Sequence, residues 1–215
     1  MMDSSFAEII KGRRSVRRFK DVPVSEDTIC EIVDYARYAP SDTNSQTWQF
    51  VAVLDPEKIK GLAAAIWQTL HRMAQDAASR GMGKEGRLLL RSFGPYATAF
   101  THAPALIVVL STPYQSKFRE RIFDPLDMVP RQVWDLEGTK SSCLAAQNLM
   151  LAAHAMGLAT CPMTGPVLLA ETELAELLGI SVERKINMVI SLGYPAESPA
   201  MPKRKPVHEI LRIVR

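Results

Sequence analysis

Two short stretches near the N-terminus hold the residues best suited to chemistry. Lys11-Gly12-Arg13-Arg14-Ser15-Val16-Arg17-Arg18-Phe19 sets Arg13, Arg14, Ser15 and Arg17 close together. A planar arginine fork beside a hydroxyl donor suits the oxygens of a phosphate monoester, so this stretch reads as an anion-binding site. On its own it reads equally as a solvated basic loop or a nucleic-acid-binding arm. In Ala39-Pro40-Ser41-Asp42-Thr43-Asn44-Ser45-Gln46-Thr47-Trp48, the Pro, Ser, Asp and Asn residues stop helices and hold turns while leaving polar groups free. It reads as a loop built to touch something.

Helices and strands must position these stretches. Ser5 and Glu8 have capping-box spacing ahead of Ile9 and Ile10, which predicts a short helix leading into the arginines. Ser25 caps the next helix, Glu26 and Asp27 favour its positive end, and Ile29, Ile32, Val33 and Ala36 share a face up to Pro40. Residues 48–54 read as a core strand that opens on a packed Trp48. Helical spacing returns over 56–79, where His71 has no metal-spaced partner and reads as a surface or capping residue. Gly81-Met82-Gly83-Lys84-Glu85-Gly86 spells G-x-G-x-x-G, but a polar helical stretch precedes it where the dinucleotide fingerprint needs a strand. It reads as a mobile inter-helix loop.

Residues 103–111 form the clearest strand, apolar on both faces and therefore central in a covered sheet. Residues 112–133 lack clean periodicity and read as an excursion of the kind that lines active sites. Over 135–157 runs the best helix, whose Leu144, Ala145, Leu149, Ala152 and Ala155 predict a buried central position; Asn148 and His154 take bland packing or surface roles. A helix over 168–178 closes at Gly179, a strand covers 186–192, and a basic tail follows, Met201-Pro202-Lys203-Arg204-Lys205-Pro206.

With 215 residues the chain accommodates one domain over residues 1–215. Its 47% hydrophobic and 23% charged content is that of a folded globular protein. A net charge of +3 argues against whole-protein attraction to nucleic acid. The apolar runs fall short of the roughly 20 residues that cross a bilayer, and the sequence opens without a signal-peptide pattern, so no membrane association and a cytoplasmic location are expected. Cys30, Cys143 and Cys161 fit neither a disulfide framework nor a zinc site and read as reduced core thiols.

Together the two stretches resemble the FMN-dependent nitroreductase family, whose members carry R-x-S-x-[RK]-x-F and then P-S-x-x-N-x-Q-x-W. Here these are Arg13 or Arg14 before Ser15, then Arg17 and Phe19, and Pro40-Ser41-Asp42-Thr43-Asn44-Ser45-Gln46-Thr47-Trp48. The run from Ala146 to Leu158 and the segment Ala159-Thr160-Cys161-Pro162-Met163-Thr164-Gly165-Pro166 extend the similarity. The resemblance implies an α+β fold: a nitroreductase-like three-layer sandwich, with a mainly antiparallel central sheet between helices, in a domain-interlocked homodimer whose C-terminal segment is swapped onto the partner.

By the same resemblance, FMN lies at the dimer interface. Arg13, Ser15 and Arg17 hold its phosphate with Lys203 and Lys205 from the tail, while Arg14 or Arg13 and Asn44 hold the pyrimidine end. The loop carrying Pro40, Ser41, Asp42 and Asn44 reaches the flavin held by the partner's arginines. Pro162, Met163, Thr164 and Gly165 pass beneath the ring, and the backbone N–H near Gly165 reaches N5; many members carry an acidic residue where this chain has Thr164. The implied activity is ping-pong transfer of hydride from NADH or NADPH to a small electron-poor acceptor such as a nitroaromatic or quinone. It needs no metal and no catalytic side chain. Flavin fragmentation, reductive dehalogenation and azoline oxidation on the same fold are competing readings, with a basic nucleic-acid-binding protein far behind.

Overall fold

The computed structural model describes residues 6–215. Helix α1 (Phe6–Gly12) leads into the arginine segment, and its expected cap, Ser5, lies outside the described residues. Four strands form one antiparallel sheet: β1 (Trp48–Val53), β2 (Ala105–Ser111), β3 (Ala159–Met163) and β4 (Lys185–Gly193), in the order β1-β2-β4-β3. Every residue of β2 is buried, as its unbroken apolar run requires. Strand pleating sends Leu106, Val108 and Leu110 into one core and Ala105, Ile107 and Val109 into another on the opposite face.

The first core is closed by α3 (Pro56–Ser79), a π-helical turn over Leu89–Phe93, the short α5 (Gly94–Ala97) and α7 (Gly165–Leu178), while α4 (Gly83–Leu88) packs on α3. The second is closed by α2 (Glu26–Ala36) and α6 (Arg131–Ala155), with Ile29, Ile32 and Ala36 meeting Ala146, Leu149 and Ala153. The result is the three-layer α+β sandwich that the resemblance implies. α8 (Val207–Ile210) lies in an exposed C-terminal tail. Among the described residues no helix is long and apolar enough to cross a membrane.

Several expectations are corrected. The G-x-G-x-x-G stretch is not an inter-helix loop throughout, because α4 starts at Gly83. Gly86 faces α3 so closely that a Cβ there would lie 2.9 Å from the Ala74 carbonyl oxygen, so this glycine serves close packing. β1 is an edge strand with mixed burial, and α2 stops at Ala36, ahead of Pro40. α6 is two-faced: Ala145 and Leu149 are fully buried, whereas Leu136 and Leu144 are 50% and 48% exposed. Of the three thiols only Cys161 is buried; Cys30 and Cys143 sit on the outer faces of α2 and α6.

Leu149 has no exposed surface and packs between α6, α2 and the sheet. Leu149→Ala should lower the unfolding free energy by about 2–5 kcal/mol, measured by urea denaturation. A loss below about 1 kcal/mol would show that the second core closes around the cavity.

Candidate functional site

The arginine segment is fastened to the outer edge of β3. Ser15 pairs with Thr160 as an isolated parallel bridge, and the Val16 N–H donates to the Thr160 carbonyl at 3.1 Å. Val16, 4% exposed, is the apolar anchor. Further along, the Lys20 N–H donates to the Tyr194 carbonyl at 2.8 Å and the Ala196 N–H to the Arg18 carbonyl at 2.9 Å. The Glu197 carboxylate accepts from the Arg17 and Arg18 backbone N–H groups at 2.8 and 3.1 Å and from Arg18 Nε at 2.9 Å. These bonds hold Glu197 below the usual carboxylate range, the bond from the Arg17 backbone contributing most. Arg17, Ser15 and Arg13 all come within reach of the Cys161 thiol of β3.

The guanidinium groups are unevenly satisfied. Arg14 Nη1 turns back to the Lys11 and Arg13 carbonyls at 2.6 and 2.7 Å, closing the end of α1. Arg13 Nη1 and Arg17 Nε are buried without a hydrogen-bond partner. Burial, then repulsion from Arg14 and from Arg204 of the tail, hold the Arg13 pKa below its ordinary value. The tail therefore comes within electrostatic reach of Arg13 through Arg204, while Lys203 and Lys205 are exposed. Such a cluster, desolvated and self-repelling, calls for an anion rich in acceptor oxygens.

A cavity of about 230 Å³ lies at the end of β3, lined by Phe93, Tyr96, Ala97, Leu168 and the run from Pro162 to Pro166. Met163 and Pro166 are buried, Pro162 and Gly165 half-buried and Thr164 exposed. α7 starts at Gly165, and the first N–H groups of a helix lack intrahelical acceptors, so donors gather at this end of the cavity. Arg17 joins the two regions: its guanidinium stacks 4.9 Å from the Tyr96 ring centroid, and Nη2 donates to Tyr96 Oη at 3.3 Å. Phe93 and Tyr96 escaped the sequence reading because they belong to no motif; the signal available was an aromatic pair flanking Gly94 and Pro95.

Pro40, Ser41, Asp42 and Asn44 lie elsewhere. Thr43, Asn44 and Gln46 adopt φ of 48°, 56° and 48°, a strained run for residues with side chains. It is held by the Gln46 N–H donating to Ser41 Oγ at 3.0 Å and by a hydroxyl contact between Thr43 and Tyr114 at 3.1 Å. Tyr114 belongs to the excursion over 112–133, where Arg119 stacks 5.3 Å from the Trp134 ring and donates to the Tyr114 carbonyl at 2.5 Å. The excursion thus braces the loop. The loop enters β1, at one edge of the sheet, whereas the arginines and Gly165 flank β3 at the other. Register pairs Trp48, Ser111 and Lys185 at one end of the sheet, and β3 leaves past Met163, opposite Val189, toward that same end, so loop and cavity open in the same direction from opposite edges.

The pattern of the nitroreductase family matches residues 10–194. This chain belongs to the nitroreductase family. It is 28% identical over 206 residues to an NADH dehydrogenase of Thermus thermophilus, covering 93% of this chain and 91% of that one. It is 30% identical over 211 residues to a nitrobenzene nitroreductase of Ectopseudomonas oleovorans, covering 89% and 87%. A BluB-like flavoprotein of Clostridium difficile 630 shares the fold, with a TM-score of 0.84, 24% identity and 99% and 100% coverage. For a nitroreductase-family chain, the arginine segment and the Gly165 turn meet as one surface, and the Asn44 loop stands apart from them.

His154 borders the arginines: a Cβ on Gly12 would lie 2.8 Å from its Nε2. Burial first, then Arg13 and Arg14, hold its pKa below the ordinary 6.5, so the folded chain resists protonating it. The unfolded chain binds that proton more readily, so folding loses stability as pH falls below about 6.5, with no contribution above that. His154→Gln should flatten the acid side of a urea-denaturation profile; an unaltered slope would mean that His154 titrates alike in both states.

Proposed function

We propose that this chain is an FMN-dependent oxidoreductase that draws on NADH or NADPH to reduce a small electron-poor acceptor, such as a nitroaromatic or a quinone, as a homodimer of single-domain subunits. The observation that carries the reading is the pair of buried, unpartnered guanidinium nitrogens, Arg13 Nη1 and Arg17 Nε, with Arg17 joined through Tyr96 to the cavity that ends at Gly165. The donors fit a phosphate monoester, with the Ser15 hydroxyl between the two arginines. The cavity lined by Phe93 and Tyr96 fits a ring system. The names of the relatives, an NADH dehydrogenase and a nitrobenzene nitroreductase, support this donor and acceptor chemistry.

Bound FMN would supply the electron chemistry, accepting hydride from the nucleotide and passing electrons to an acceptor that occupies the same place in turn. The protein's work is to bind, orient and bias. Arg13, Ser15 and Arg17 bind the phosphate, with Arg204 and its neighbours Lys203 and Lys205 adding positive charge from the tail. Pro162 and Met163 form the wall beneath the ring. The start of α7 at Gly165 favours negative charge on the ring, and the exposed Thr164 adds no carboxylate to oppose it. Asn44 reaches a site only across subunits, because its loop and the arginines lie at opposite sheet edges. Dimerisation is further supported by the apolar Leu136 and Leu144 on the outer face of α6 and by Val207, Ile210 and Leu211 on the tail, all exposed in the single chain.

The purified protein should show a flavin absorption spectrum that bleaches with NADH or NADPH in the absence of oxygen. A colourless chain that takes up no added FMN would sink this reading. Arg17→Ala should weaken FMN binding about tenfold or more with little effect on folding, and light scattering should give twice the chain mass of 23.9 kDa.

A further inference from the structure

We infer that Tyr96 is the positioning residue for Arg17, holding its guanidinium in place without neutralising it; the inference rests on the FMN reading above. Arginine is long and flexible, and a binding site that depends on its charge needs it ordered beforehand. An acidic partner would order it but would also consume its charge and its donors. Among the described residues no ion pair to the Arg17 side chain is found; Glu197 engages the Arg17 backbone and pairs with Arg18 instead. The ordering comes from Tyr96, whose ring lies 4.9 Å beneath the guanidinium and whose hydroxyl accepts from Nη2 at 3.3 Å. A ring face attracts a cation without adding negative charge. With the plane and one edge of the guanidinium fixed, the direction of Nε is fixed too, and Nε is the buried donor left without a partner.

Tyr96 is itself held. It sits in α5 between Phe93 and Ala97, where a Cβ on Gly94 would collide with the Trp67 ring and a Cβ on Gly165 would lie 3.4 Å from that of Ala97. α5 is therefore clamped between α3 and the start of α7. The same side chain lines the cavity at Thr164 and Gly165. Tyr96 thus ties the position of the anion-binding arginine to the wall of the ring cavity.

The test is a titration of the flavin-depleted full-length protein with FMN and with riboflavin, which lacks the phosphate, followed by flavin fluorescence. The ratio of the two affinities isolates the phosphate contribution. Tyr96→Leu should lower that ratio about five- to tenfold. Tyr96→Phe keeps the ring face and should lower it only about twofold. In an Arg17→Ala background, Tyr96→Leu should leave the ratio unchanged, because there is no guanidinium left to aim. Thermal melting of each variant checks that it is folded. An unchanged ratio in folded Tyr96→Leu, or an equal fall with and without Arg17, would overturn the role of Tyr96 alone. Wild-type protein that binds neither flavin would overturn the FMN reading along with it.

Discussion

Two buried guanidinium nitrogens with nothing to donate to are the constraint around which this end of the molecule is built. Stripping a cation of water is costly unless an acceptor replaces it, and Arg13 is crowded by further positive charge from Arg14 and Arg204. Such an arrangement persists only if the backbone carrying it is held firmly by other means. Here the means are the Thr160 carbonyl, the backbone pairing with the segment after β4, and Glu197, which grips main-chain N–H groups and leaves the Arg13 and Arg17 side chains alone. Folding energy from the β3 edge is thereby stored as binding readiness in the arginines.

The sheet explains why the remaining pieces stand where they do. Its two outer strands carry different equipment: β1 is entered from the strained loop of Thr43, Asn44 and Gln46, and β3 leads out into the Gly165 turn. Both leave the sheet at the same end, so in a two-fold pairing each chain can offer a loop where its partner offers a cavity. The backbone strain in the loop fits such a role, since conformations of this kind are kept when surrounding structure holds a residue in place for a purpose. Tyr114 and the stacked Arg119 and Trp134 are the surroundings that do so.

What could be read in the sequence was what is local. Arg13, Ser15 and Arg17 are close in sequence and all come within reach of Cys161, and β2 announced itself because burial on both faces calls for an apolar run. The helical spacing of α3 was legible for the same reason, whereas its Asp55 cap went unread. What failed depended on neighbours distant along the chain. Gly86 looked like a loop residue until Ala74 was seen pressed against it. The broad apolar face of α6 predicted a buried central helix, yet Leu136, Cys143 and Leu144 lie exposed. Phe93 and Tyr96 carry no pattern at all; they matter because α3 and α7 deliver them to the end of β3.

The arginine segment has one more effect on β3. A strand at the border of a sheet exposes a row of unpaired backbone groups that can recruit strands from other molecules and seed aggregates. On β3 that row is partly capped by Ser15 and Val16, flanked by cations that repel a second copy, and interrupted at Pro162, which has no N–H to offer. The basic segment is thus also a guard on solubility. A substitution that released it from Thr160 would uncover a short, sticky border as well as spoil a binding surface.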